Sequence, residues 1–285
     1  MSTACLPGTV PLSERLEDYA SQALFGVELG AGVSRSGLVE ALDEERSHPR
    51  WEFLVHNYFP PPLEPFVLNL ASAGPSIRDR SLSLARSAID LCSELGARAY
   101  SVHGGFITDP SITGEGVWVF PAPKTNEEGQ AALRRFIDSI RVLLDYAVAR
   151  GVQLHVENNV CPPELSDRLL FVGVDDFLEL FRAFRPEAPL GILLDTGHLR
   201  VSAATHGFDR REFIECLGER IEAVHLHDND GSADNHEPVR PGSWVFDFLV
   251  RDEFPSVPIT VEAKFAGVSE LKEHVDWLTN ALDVR

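Results

Sequence analysis

The chain has 285 residues, 44% of them hydrophobic, enough to bury a large core as one domain. Its 25 basic and 44 acidic residues give a net charge of −19, which repels polyanions and argues against binding to nucleic acid or an anionic membrane, while leaving a metal-bridged phosphate open. Cys5, Cys92, Cys161 and Cys216 lie far apart with no CxxC pairing, the first residues lack a basic start and an apolar h-region, and no apolar run approaches the roughly 18 residues of a membrane span, so a cytoplasmic protein is expected.

Strand-like and helix-like patterns then alternate. A short first strand is expected within residues 5–10, followed by an amphipathic helix over 13–23 with Ser13 as N-cap. FGVELG at 25–30 reads as the second strand, a helix spans 37–46, and WEFLVHNYF at 51–59 reads as the third strand. The proline-rich PPPLEP that follows is neither helix nor central strand. A helix over 78–96 leads to AYSVHGG as the fourth strand, and the Gly-, Pro- and aromatic-rich stretch 106–123 is long enough for a substrate-facing lid. A helix over 126–150, the strand VQLHVEN, a helix over 174–184 and the strand LGILLDTGH come next. The chain ends with a helix over 209–219, the strand AVHLHD, a helix over 245–251, the strand PITVEAK and a helix over 269–282.

Eight strands alternating with helices, several of them continuous apolar runs, specify a parallel sheet covered by helices. A single-domain (β/α)8 TIM barrel over residues 1–285 is the economical architecture, with an open doubly wound sheet second. No GxGxxG or GxxxxGK[ST] fingerprint follows any strand.

His56, His103, Glu157, Asp195, His227 and Glu262 stand at or just past the C-terminal ends of six consecutive predicted strands, the face where a barrel builds its site. One such residue is more often a satisfied polar group than a ligand. Six are another matter, because burying that many carboxylates and imidazoles without a cation costs several kcal/mol per unpaired charge. His198 follows Asp195 by three, and the stretch IEAVHLHDNDGSADNHEPVRPGSW carries Asp228, Asp230, Asp234 and His236 past its strand. Mixed N and O ligands suit Zn, Mn, Fe or Co over an all-oxygen Ca site.

His155 and His225 lie two residues before a ligand and so are expected one layer deeper, as hydrogen-bonded core histidines. Cys161 reads as a buried thiol. Glu28 belongs either to the pocket rim, where it would meet substrate, or to a structural ion pair. Arg240 is the best candidate for an anionic group on the substrate, and Lys264 a further one for its oxygens or phosphate.

The motifs LVHNYF with nearby VLNL, SVHGG, HVEN, LLDTGH, HLHDNDGSADNH and TVEA, spread over residues 53–263, resemble the xylose-isomerase-like TIM-barrel superfamily, in the branch with endonuclease IV and the sugar-phosphate isomerases and epimerases. The resemblance implies one metal on His56 and His103, Glu157 bridging it to a second on Asp195, His227 and Glu262, and a third on His198, Asp234 and His236. Arg240-Pro241-Gly242 stands where relatives commonly carry GEG, and the aromatic wedge of a DNA-bending endonuclease is matched only loosely by Tyr58 and Phe59.

A metal-dependent sugar or sugar-phosphate isomerase or epimerase, with Glu157 and Glu262 shuttling a proton, is the leading expectation, on family analogy. The alternative is a trinuclear phosphoesterase attacking DNA or a small phosphate ester. An iron-dependent oxidative enzyme and a non-catalytic carbohydrate-binding barrel come after these.

Overall fold

A computed structural model describes residues 1–34, 36–45, 50–112, 118–250 and 257–283. Its strands are β1 (Gly26–Leu29), β2 (Glu52–His56), β3 (Ala99–His103), β4 (Ser111–Ile112), β5 (Trp118–Val119), β6 (Gln153–Glu157), β7 (Leu190–Asp195), β8 (Ile221–Leu226) and β9 (Ile259–Val261). Seven form one parallel sheet in the order β1-β2-β3-β6-β7-β8-β9, each paired with its successor, as βα repetition with right-handed crossovers requires. β4 and β5 make a separate antiparallel pair inside the expected lid, whose residues 113–117 lie outside the described residues.

The eighth stave is not where the pattern put it. Residues 5–10 hold no strand: Thr3–Cys5 is a 3-10 turn, and Pro7, Gly8 and Pro11 deny the segment a regular ladder. Met1 and Ser2 close the ring instead, with Glu28 N–H donating to Met1 O at 2.8 Å and Ser2 N–H to Val261 O at 2.9 Å. Buried Tyr19 donates its hydroxyl to Ser2 O at 2.6 Å and so ties this two-residue stave to the first helix.

The helices are α1 (Leu12–Ser21), α2 (Leu38–Glu45), α3 (Pro75–Leu95), α4 (Asn126–Val148), α5 (Val174–Arg182), α6 (Thr196–His206), α7 (Arg210–Leu217), α8 (Trp244–Leu249) and α9 (Val268–Asp283). α1 starts at Leu12 behind Pro11, so Ser13 is inside the helix and does not cap it. α3 starts at Pro75, whose fixed φ suits a first helical position, and stops at Gly96 in the left-handed region. No helix among the described residues is long and apolar enough to cross a membrane.

α6 corrects the sequence pattern, which ran the sixth strand on to His198. Asp195 ends β7 and caps α6, its Oδ1 accepting from His198 N–H at 2.7 Å. The helix is hidden from periodicity because Thr196, Gly197, His198, Leu199, Val201, Ser202 and Ala203 are all buried, leaving no polar stripe in its first turns.

Candidate metal centre

His56, His103, Glu157 and Asp195 are the last residues of β2, β3, β6 and β7, while His227 and Glu262 come right after β8 and β9. Strand ends bring all of them to one mouth of the barrel. His56 Nε2 and His103 Nε2 lie 3.1 Å apart and stand 3.2 and 3.1 Å from Glu157 Oε2. A tetrahedral ion with bonds of about 2.0 Å separates its ligand atoms by roughly 3.3 Å, so these spacings fit three ligands of one ion.

The second set is built around His225. Its Nδ1 faces Glu262 Oε2 at 2.9 Å, with Glu157 Oε1 and Asp195 Oδ2 each at 3.7 Å. His225 was expected a layer deeper, with His227 in this place. The correction has a structural cause: the register of β7 on β8 shifts between Ile192 and Leu193, so Asp195 pairs with His225. His227 turns outward to the remaining residues. Its Nε2 lies 3.0 Å from Asp195 Oδ2 and its Nδ1 3.7 Å from Asp234 Oδ1, and Asp234 Oδ2 receives His236 Nε2 at 3.1 Å and His198 Nε2 at 3.4 Å.

Neighbouring backbone fixes which nitrogen each ring offers. His198 Nδ1 donates to Asn158 O at 2.9 Å and His236 Nδ1 to Glu262 O at 3.2 Å, leaving both Nε2 atoms free to bind. Asn158 also brackets Asp195, accepting from its N–H at 2.8 Å and donating to its carbonyl at 3.0 Å. His236 holds φ at 51°, a strained value for a non-glycine residue, at a position where its ring must reach Asp234.

The donors fit a cation. Both Glu157 carboxylate oxygens, Asp234 Oδ1 and the Nδ1 atoms of His225 and His227 are buried without a hydrogen-bond partner. Buried groups of this kind are nearly always satisfied, so their gathering in one pocket calls for an ion. Electrostatics agree. Burial pushes the Glu157 carboxyl up, yet His103 and His56 outweigh it and hold the group well below the usual carboxylate range. Burial likewise opposes a charge on His225, yet Glu262 and Glu28 raise it well above an ordinary imidazole.

The other expected residues lie elsewhere. Glu28 is not at the rim but buried, with Oε1 2.6 Å from His225 Nε2, so the ion-pair alternative is the one found. Lys264 is exposed and meets the site only through its backbone N–H, which donates to His236 O at 2.9 Å. Arg240 is exposed and lines an outer cleft with Phe265, His274 and Trp277 of α9 and its approach. Asp228 pairs with Arg200 at 2.6 Å, and Asp230 is turned to Ser232. Cys161 is buried and its thiol faces His206 Nε2 at 3.3 Å. His155 meets Glu222 at 3.2 Å, as a core histidine, and Gly191 leaves room for that carboxyl: an added Cβ would lie 2.7 Å from its carbon.

The strands and helices form a parallel (β/α)8 barrel, and His, Asp and Glu side chains that could hold metal cluster at its C-terminal mouth. The chain belongs to the xylose isomerase-like TIM barrel family, which it matches over residues 25–281. It is 27% identical over 214 residues to a probable endonuclease 4 of Aquifex aeolicus, the match covering 70% of this chain and 68% of that one. A probable endonuclease 4 of Mycobacterium leprae (strain Br4923) is 24% identical, with 65% of each chain covered. Among solved structures, a D-tagatose 3-epimerase-like protein superposes with a TM-score of 0.73 at 20% identity over 97% of both chains. The D-psicose 3-epimerase of Clostridium cellulolyticum H10 follows the same fold with a TM-score of 0.69 at 12% identity, covering 99% and 98%.

Proposed function

We propose that the chain is a divalent-metal-dependent enzyme that hydrolyses a phosphate ester on a small polar substrate. One observation carries this: Glu157 turns Oε2 to His56 and His103 and Oε1 to His225 Nδ1, so a single carboxylate serves two ligand sets. Two ions sharing a carboxylate would suit in-line displacement at phosphorus, where both the attacking and the leaving oxygen need charge stabilisation. Ions bound there supply Lewis-acid activation of water and of phosphoryl oxygens.

The chain's own residues set the rest. Glu157 and Asp195 fix the spacing of the two ligand sets, Asn158 holds Asp195 in place, and His103, its side chain 41% exposed, stands on the open side where substrate enters. The endonuclease name of the sequence relatives supports phosphate esters as the class. The net charge of −19 favours a small ester over DNA.

A second reading, isomerisation or epimerisation of a carbohydrate, is favoured by the convergence of Glu262 and Glu157 on the same His225 nitrogen, at 2.9 and 3.7 Å. There the two carboxylates would take and return a C–H proton. The test is isotopic. Zinc-, manganese-, iron- or cobalt-loaded protein is incubated with phosphomonoesters, phosphodiesters and ketoses in 18O water and, separately, in deuterium oxide. Label from water in the phosphate or phosphomonoester product supports hydrolysis, while deuterium at a sugar carbon without cleavage of any ester overturns it in favour of the second reading.

A further inference from the structure

We propose that His227 is a ligand, through Nδ1, of an outer ion held with Asp234 and His236, and that its opposite nitrogen couples that ion to the buried one through Asp195. This rests on the multinuclear reading of the pocket and departs from the resemblance, which placed His227 with Glu157, Asp195 and Glu262.

His227 is fully buried, and its Nδ1 has no hydrogen-bond partner. Asp234 Oδ1, the carboxylate oxygen it faces, is also buried and unpartnered, 3.7 Å away. That is too far for a hydrogen bond and suits two ligands of one cation. The His236 ring stacks on His227 with centroids 4.2 Å apart and presents Nε2 to the same carboxylate at 3.1 Å. On the other edge, His227 Nε2 lies 3.0 Å from Asp195 Oδ2. With that nitrogen donating, Nδ1 carries the lone pair, the tautomer a metal ligand needs.

The backbone is cut to receive this ring. Gly197, in the first turn of α6, has no side chain where an added Cβ would sit 2.0 Å from His227 Cε1 and 2.3 Å from Nδ1. Nothing but glycine fits beneath an imidazole in this orientation. His198 Nε2, 3.4 Å from Asp234 Oδ2, is a fourth donor on the same side. Four protein ligands complete a tetrahedral shell, which is how structural sites differ from catalytic ones that keep a position open. The outer ion would then fasten the 228–236 loop to the barrel and leave substrate to the inner ions.

The experiment is competitive zinc titration against a chelator, with metal content per chain, on wild type, His227→Gln, Asp234→Asn and Gly197→Ala. Glutamine keeps a donor toward Asp195 and loses the Nδ1 ligand. His227→Gln and Asp234→Asn are expected to weaken the same single zinc equivalent by at least about 100-fold, since even outer-shell losses cost 10- to 100-fold, and to leave the others unchanged. Gly197→Ala, which alters no donor, should do likewise by displacing the ring. If Asp234→Asn loses an equivalent that His227→Gln retains at full affinity, the assignment of His227 is overturned and the multinuclear reading stands. If wild type has no zinc equivalent that depends on Asp234, the outer ion and the His227 assignment fall, and the multinuclear reading falls with them only where fewer than two equivalents remain. Should the variants not fold, zinc-loaded wild-type crystals decide: an anomalous peak about 2.1 Å from His227 Nδ1 supports the assignment, and its absence beside an occupied inner site overturns it.

Discussion

Glu28 Oε1 lies 2.6 Å from His225 Nε2, at the opposite edge of the ring from the Nδ1 that faces Glu262. A carboxylate on the far nitrogen of a ligating histidine fixes its tautomer and aim and makes the ring a better donor. Glu28→Gln should therefore weaken the ion at Glu157, Asp195, His225 and Glu262 by about 10- to 100-fold. Chelator competition measures this directly, and an unchanged affinity would show that the pair is only structural.

Glu262 is the less enclosed of the two central carboxylates, with its side chain 13% exposed against 1% for Glu157. Burial pushes its carboxyl up, and the charge of His225 more than offsets this, holding it down to about 2. It is thus a carboxylate at every working pH. Glu262→Gln should lower turnover by at least about 100-fold, since losing even an outer partner of a metal site costs about 10- to 100-fold. Circular dichroism should stay as in wild type, because the side chain faces the pocket and not the apolar core. Turnover within a few-fold of wild type would remove Glu262 from the mechanism.

Which parts of this site could be read from sequence depended on whether position in the chain alone sets position in space. His56, His103, Glu157 and Asp195 end their strands both in the pattern and in the structure, since one ligand per βα unit needs only the alternation to be right. His225 could not be found that way. Its level is set by the irregular register at Ile192 and Leu193, and a slip of one residue in pairing leaves no mark in composition. α6 was hidden because it is buried nearly all round, and the closing stave because two residues carry no period. Glu28 stood at a predicted strand end, but whether it faced substrate or His225 depended on a partner 197 residues away.

Removing metal should cost stability, because the buried unpartnered atoms of Glu157, His225, His227 and Asp234 gain a partner when an ion binds. Zinc at 100 times its dissociation constant stabilises a one-site protein by about 2.7 kcal/mol. For a chain of 285 residues that corresponds to roughly 4–5 °C in Tm per site. Scanning calorimetry in zinc and in excess chelator checks it, and coincident transitions would mean that the pocket does not bind the ion in the folded state.

His274 offers a stability prediction away from the metal. It lies on α9 between the rings of Phe265 and Trp277, with Nε2 buried and unpartnered. Burial, and then the charge of Arg240, lower its pKa to about 4, against a small opposing pull from Glu270. The folded protein therefore resists a proton that the unfolded chain accepts near 6.5. Between those values the unfolded state binds more protons, so stability falls as pH drops from about 6.5 towards 4 and is level above that window. The half-buried position lets solvent screen part of the effect, which makes the slope, more than its size, the thing to measure. His274→Phe keeps an aromatic ring between its neighbours and removes the titration. Urea midpoints for the two proteins at pH 7 and pH 5 should diverge, with wild type losing more on acidification. Parallel losses would mean that His274 takes its proton as readily folded as unfolded.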